Sequence, residues 1–92
     1  MSDKLKELLI FRTIKLEYPI TDGHGKEITE LNVRRAKAKD LRRMQGVTDL
    51  EKNISLLAML TGLVPEDLDD LDIADVQQAV QTLEQMQKGK SA

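Results

Sequence analysis

The chain has 92 residues, and its 14 basic and 16 acidic side chains give a formal net charge of −2. Its hydrophobic content of 40% is enough to fill one small core, whereas the absence of cysteine excludes disulfides and zinc–thiolate sites. Phe11 and Tyr18 are its only aromatic residues, which argues against stacking on single-stranded nucleic acid.

The charge is divided unevenly along the chain. Residues 1–46 hold 11 basic and 7 acidic side chains, a net of +4, whereas residues 47–92 hold 3 basic and 9 acidic side chains, a net of −6. Halves of opposite charge attract each other within one chain or between copies, so the pattern is compatible with a homo-oligomer. No apolar run approaches the roughly 20 residues of a membrane span. We expect a soluble, cytosolic protein that forms a single domain over residues 1–92.

The first predicted element is a β-hairpin over residues 10–35. Residues 10–20 alternate apolar and polar side chains, which is typical of a half-buried strand. The Asp22–Gly23 pair predicts the turn, and a second strand follows over residues 27–35. An isolated hairpin is marginal in water, so we expect it to lie on the helices or on another chain.

The phase of the apolar residues predicts which hairpin side chains point inward. Tyr18 has the same parity as the inward-facing residues of the first strand. In the second strand the apolar positions change parity between Ile28 and Leu31, which predicts a β-bulge near Glu30.

The remainder of the chain, residues 38–88, is predicted to be mainly helical, with a frayed tail over 89–92. The clearest helix is the second, because Thr48 and Glu51 form a capping box and Gly62 can end it. Its predicted core stripe begins at Leu50. The predicted helices cover 34–46, 48–61, a short segment starting at Pro65, and 72–87. The fold class is therefore α+β, an N-terminal β-hairpin followed by three to four α-helices, with helices 48–61 and 72–87 packed as a core pair.

Six carboxylates fall between Glu66 and Asp75 without a basic residue. A calcium loop needs alternating ligands and a glycine, but Leu71 stands at a ligand position and glycine is absent. Carboxylates also bond the free N–H groups of a helix's first turn, so we expect Asp72 and Asp75 to start the last helix. Asp69 and Asp70 remain as solvated charge and as candidates for contact with a partner. No metal and no cofactor are expected.

Residues 34–43 contain six basic side chains in ten. They could bind a phosphate backbone, but a nucleic-acid-binding domain is usually basic overall, and this chain is mildly acidic. Arg42 and Arg43 could instead meet the acidic half of the chain or of a neighbour. The only histidine, His24, lies between glycines and is predicted to be a turn residue. Because no nucleophile–base pair has a recognisable spacing, we do not expect an enzyme.

The last helix carries an apolar stripe that includes Val76, Val80, Leu83 and Met86. One interpretation is packing against helix 48–61, and another is that the stripe also offers a groove to a partner helix, for which methionine is well suited. The candidate partner-binding residues are Val76, Val80, Leu83, Met86, Asp69, Asp70, Arg42 and Arg43.

The order of these features resembles that of the small tail assembly chaperones of contractile-tailed bacteriophages and prophages. The resemblance covers roughly residues 10–87 and is carried by the segments LEYPI, DGHGKEI, LNVRRAKAKDL and LLAMLTGLVPEDLDDLDIADV. Its most distinctive part is the Leu-Thr-Gly-Leu segment followed by proline and acidic residues.

The resemblance implies a function. Members of this family are thought to bind the long, helical tape measure protein before the tail tube polymerises around it, and then to be displaced. It follows that the chain acts in the cytoplasm of the bacterial host, is not expected in the mature virion, and has the tail tube protein as a further possible partner. A longer product of ribosomal frameshifting is also typical of the family. The alternatives are a small nucleic-acid-binding regulator that uses residues 34–43, or a structural tail subunit.

Overall fold

The computed structural model describes residues 10–88 of the chain, and the predicted tail 89–92 lies outside this range. An antiparallel hairpin precedes four helices, which confirms the predicted α+β fold class. The strands are β1 (Ile10–Thr21) and β2 (Glu27–Arg34), and the helices are α1 (Ala38–Arg43), α2 (Asp49–Thr61), α3 (Pro65–Leu68) and α4 (Ile73–Lys88). Among these helices, none is both long and apolar enough to cross a membrane.

The first helix is shorter than predicted. Helix α1 begins at Ala38, because the chain as far as Arg34 remains in the β2 ladder. It ends at Arg43, where Met44 leaves the helical conformation with a ψ of 135°. Gly46 therefore lies in the link to α2 and does not end α1.

The hairpin turn forms as predicted. The Asp22 carboxylate accepts hydrogen bonds from the backbone N–H groups of His24, at 2.8 Å, and Lys26, at 2.9 Å. These bonds, that of Lys26 above all, hold the pKa of Asp22 below its usual value. The short loop offers no backbone carbonyl to these two N–H groups, so the Asp22 carboxylate accepts their hydrogen bonds in place of water.

The hairpin has an irregularity next to Glu30, as predicted, but its extra residues lie in β1 and not in β2. Lys15 lies opposite Glu30 and Ile20 lies opposite Ile28, so four residues of β1 face a single residue of β2. One consequence is that Tyr18, predicted to point inward, is exposed.

The core lies between one face of the hairpin and the helices. Helix α2 packs mainly on β2 and α4 packs mainly on β1, while α2 and α4 share a smaller contact. The two helices predicted to form a core pair therefore contact the hairpin more than they contact each other. Both helices bury the apolar face of the hairpin. The buried apolar residues are Ile14, Leu16, Ile20, Leu31, Val33, Leu56, Leu57, Ala58, Leu60, Leu68, Leu71, Ala79, Leu83 and Met86.

Helix α2 has the predicted ends. The Glu51 N–H donates to Thr48 Oγ1 at 3.1 Å, and the Thr48 N–H donates to Glu51 Oε1 at 3.0 Å, which completes the capping box. Gly62 ends the helix in the left-handed conformation with a φ of 77°. The predicted stripe was wrong at its first position, because Leu50 is 54% exposed.

Candidate partner-binding surfaces

The acidic segment divides into carboxylates that hold the fold and carboxylates that face solvent. Asp72 Oδ2 accepts from the Ala74 N–H at 3.0 Å and so caps α4 as predicted. Asp67 Oδ1 accepts from the Gly23 N–H at 3.1 Å, which joins α3 to the hairpin turn. These two carboxylates thus support the fold, one within α4 and the other between α3 and the hairpin turn.

Asp75 has a role that sequence reasoning missed. Its carboxylate is fully buried and accepts from the Glu17 N–H at 2.9 Å and the Tyr18 N–H at 3.1 Å. It therefore satisfies the backbone donors of the β1 irregularity rather than capping its own helix. The sequence signal was its spacing, because Asp75 lies four residues before Ala79 on the buried stripe of α4.

Asp69 and Asp70 are exposed, and within residues 10–88 their side chains have no hydrogen-bond or ion-pair partner. Among the described residues, no group of acidic or histidine side chains is arranged to hold a metal ion. These two carboxylates are therefore solvated charge at the surface, available to a cationic partner.

The basic segment is partly neutralised inside the fold. The Arg34 guanidinium donates two hydrogen bonds of 2.9 Å to the buried carboxylate of Asp40, which also accepts one from the backbone N–H of Lys37 at 2.8 Å. The Arg34 guanidinium first, and then the Lys37 N–H, hold the pKa of Asp40 well below its usual range. Arg35 lies over the Phe11 ring, 5.0 Å from its centre. Neither arginine is free to act as an isolated surface cation.

Arg42 and Arg43, by contrast, are exposed and form no ion pair with any residue in the described range. With Lys39 they line a shallow hollow of about 250 Å³. Leu41 lies next to Arg42 along α1 and is 46% exposed. We call Lys39, Leu41, Arg42 and Arg43 the basic patch; it combines positive charge with an exposed apolar side chain.

A groove of about 450 Å³ runs between α2 and α4. Its apolar side chains include Ile73, which is 71% exposed, together with the half-buried Val76 and Val80. Leu50 is the fourth apolar residue, and the other three lining residues are neutral and polar. We call this the α2–α4 groove; it is lined by Leu50, Asn53, Ile73, Val76, Gln77, Val80 and Gln81.

The structure separates the four candidate residues of the last helix. Val76 and Val80 line the α2–α4 groove, whereas Leu83 and Met86 are buried in the core. Met86 Sδ also accepts a hydrogen bond from the Ala36 N–H at 3.1 Å. The outer side of the stripe can therefore contact a partner directly, and its inner side supports the fold.

A second hollow, of about 420 Å³, adjoins the start of α2. Leu50, Ile54 and Pro65 supply its apolar surface, and Asp69 supplies an exposed carboxylate. We call it the acidic pocket; it is lined by Gln45, Gly46, Leu50, Glu51, Ile54, Ser55, Pro65 and Asp69. It shares Leu50 with the α2–α4 groove.

Comparison with known proteins gives one match. Residues 13–88 match the family described as "Phage tail assembly chaperone proteins, E, or 41 or 14", which is a family of chaperones rather than of enzymes. No curated protein and no solved structure matches the chain. The matched segment begins within β1 and includes the rest of the hairpin and all four helices, with the α2–α4 groove, the acidic pocket and the basic patch. The chain therefore belongs to the family of phage tail assembly chaperones.

Proposed function

We propose that this chaperone binds the tape measure protein of its phage and keeps it from aggregating until the tail tube polymerises around it. Membership of the family supports a role with tail proteins in general. The finer assignment rests on the α2–α4 groove, which suits an elongated helical client with an exposed apolar stripe.

The groove carries this proposal because its apolar side chains are accessible. Ile73 and Leu50 keep more than half of their surface exposed, although both are large aliphatic residues. Covering such surface stabilises a complex by about 25 cal/mol for each Å² removed from water. The polar lining consists of Asn53, Gln77 and Gln81, so no charged group of the groove must be desolvated when an apolar helix binds.

The small size of the groove favours reversible binding. Seven residues line the groove, whereas a stable protein–protein interface uses roughly 20–30 residues on each side. One copy would hold its client weakly, and several copies along a long client would protect it together. Weak binding also allows tail tube protein to displace the chaperone during polymerisation.

Co-expression with the tape measure protein tests the proposal. We expect the tape measure protein to remain in the soluble fraction and to co-purify with the chaperone, and to aggregate when it is expressed alone. Unchanged solubility with no co-purification would refute the proposal.

The place and time of action form part of the same proposal. We propose that the chain acts in the cytoplasm of the bacterial host and is released before the virion is complete. Mass spectrometry of purified virions should detect tube and tape measure proteins without this chain. Stoichiometric amounts of the chain in virions would instead favour a structural tail subunit.

A further inference from the structure

Two surfaces of this protein are not explained by the α2–α4 groove. The basic patch has three cations, with Leu41 next to Arg42 along α1, and the acidic pocket holds Leu50 together with the carboxylates of Glu51 and Asp69. Each combines an exposed apolar side chain with charge of one sign, and the signs are opposite. The two surfaces are therefore complementary in both charge and polarity.

The charges on these surfaces have no partner of their own. Within residues 10–88, Arg42, Arg43 and Asp69 form no ion pair. Glu51 also lines the acidic pocket, but its carboxylate is occupied by the N–H groups of Val47 and Thr48. The charge in the pocket that is available to a cation is therefore that of Asp69, with Asp70 beside it.

We propose that a second copy of this chain docks its basic patch on the acidic pocket. Arg42 and Arg43 of one copy contact Asp69 and Asp70 of the other, and Leu41 enters the apolar surface at Leu50. We assign a second copy to the acidic pocket because the basic patch of this chain has the positive charge and the apolar side chain that the pocket can bind.

The geometry further indicates a closed dimer. Helix α1 ends at Arg43, only two residues before Gln45, which lines the acidic pocket, so the two surfaces are neighbours on one copy. In a dimer with a two-fold axis, the basic patch of each copy contacts the acidic pocket of the other copy, so the two contacts form together. The dimer thus forms two equivalent sets of contacts and leaves no patch open for further growth.

Sedimentation velocity of the purified chaperone tests this proposal in the absence of any client. We expect a monomer–dimer equilibrium over roughly 5–500 µM protein. Raising the salt concentration from about 50 to about 500 mM should weaken the dimer, because salt screens charges at the surface. A chain that stays monomeric throughout, or one that grows beyond a dimer, would overturn the proposal.

Charge reversal on each side tests the contact itself. The variants are R42E/R43E in the basic patch and D69K/D70K beside the acidic pocket. All four residues are exposed, so the variants should fold as the parent does. We expect each variant alone to dimerise roughly tenfold more weakly or worse, because like charges then face each other.

Mixing the two variants gives the sharpest result. An equimolar mixture of R42E/R43E and D69K/D70K restores opposite charges at both contacts, so we expect a heterodimer about as stable as the parent dimer. The matched controls K15E/K26E and E27K/E84K change the net charge equally at exposed positions outside both surfaces, and should dimerise like the parent. Failure of the mixture to associate, or an equal loss in the controls, would contradict the proposed contact.

The proposal is tested separately from the proposed function, because dimerisation is measured without the tape measure protein. The two surfaces share Leu50, which lines both the acidic pocket and the α2–α4 groove. A monomer that still holds the tape measure protein in solution would reject the dimer alone. A dimer with no effect on that client would reject the proposed function alone.

Discussion

Asp75 joins the last helix to the hairpin through two hydrogen bonds to the irregular part of β1. Four residues of β1 there face one residue of β2, so their N–H groups cannot all enter the ladder. A buried donor without a partner costs about 1–3 kcal/mol, which makes the carboxylate a structural requirement.

Replacing Asp75 with Asn should therefore destabilise the protein. The amide keeps one acceptor but turns its NH₂ group towards a backbone N–H, so we expect the free energy of unfolding to fall by about 1–3 kcal/mol. Urea unfolding measures this change, and E30Q is the control, because the Glu30 carboxylate is exposed and has no hydrogen bond or ion pair within residues 10–88. Equal stability of D75N and E30Q would show that the buried carboxylate does not support the hairpin.

The Arg34–Asp40 pair predicts how stability depends on pH. Arg34 lowers the pKa of Asp40 from its usual value of 3.8 in the folded chain. Because the folded pKa is the lower one, the carboxylate stabilises the fold fully above the unfolded pKa, and this contribution is lost as the pH falls below about 4.

Comparison of the parent with D40N isolates this contribution. At pH 7 we expect D40N to be less stable by roughly 1–3 kcal/mol, a range that allows for the half-exposed position of Arg34. The difference should shrink as the pH falls below about 4, because the unfolded parent chain then binds a proton at Asp40 that the folded chain does not. A difference that stays constant down to pH 2, measured by urea unfolding, would contradict this linkage.

The link between α1 and α2 depends on Gly46. Its φ of 120° is in the range that favours glycine, and an added Cβ would lie 2.5 Å from Glu51 Cβ in the first turn of α2. Gly62 also has a positive φ, but a Cβ there would meet no atom within 4 Å.

These two glycines allow a paired prediction. We expect G46A to be more destabilising than G62A, because only G46A adds a steric clash to the backbone strain. Thermal unfolding followed by circular dichroism measures both variants. A larger loss for G62A would mean that the approach of Gly46 to α2 is not a tight contact.

The elements differ in how far their sequence predicted them. Helix α2 was predicted well because its ends are local: Thr48 and Glu51 bond to each other, and Gly62 ends the helix. The β1 irregularity was placed in the wrong strand because parity reports a slip between two strands without saying which has the extra residues. Asp75 was taken as a cap because its true partners, Glu17 and Tyr18, are distant in sequence.

For the molecule as a whole, composition predicted the surfaces better than periodicity did. The opposite charge of the two halves pointed to Arg42, Arg43, Asp69 and Asp70, all of which are exposed. Periodicity identifies an apolar stripe on a helix but does not show which part of the stripe a neighbouring element covers. It therefore did not separate the outer from the inner side of the α4 stripe, which packs mainly on β1. It also assigned Leu50 to the core, although Leu50 lines the acidic pocket and the α2–α4 groove.

The central claim is that the α2–α4 groove holds the tape measure protein. I73K places a charge in the groove at a residue that is 71% exposed, so the fold should be unaffected. V47K is the matched control, since Val47 is a β-branched residue outside the groove, 89% exposed and also next to a helix start.

The decisive measurement is the amount of tape measure protein that co-purifies with each variant after co-expression. We predict a loss of about tenfold or more for I73K, as expected when an apolar contact is replaced by a charge, and a parent-like yield for V47K. Equal yields for I73K and V47K, with both variants folded, would contradict the assignment of the groove.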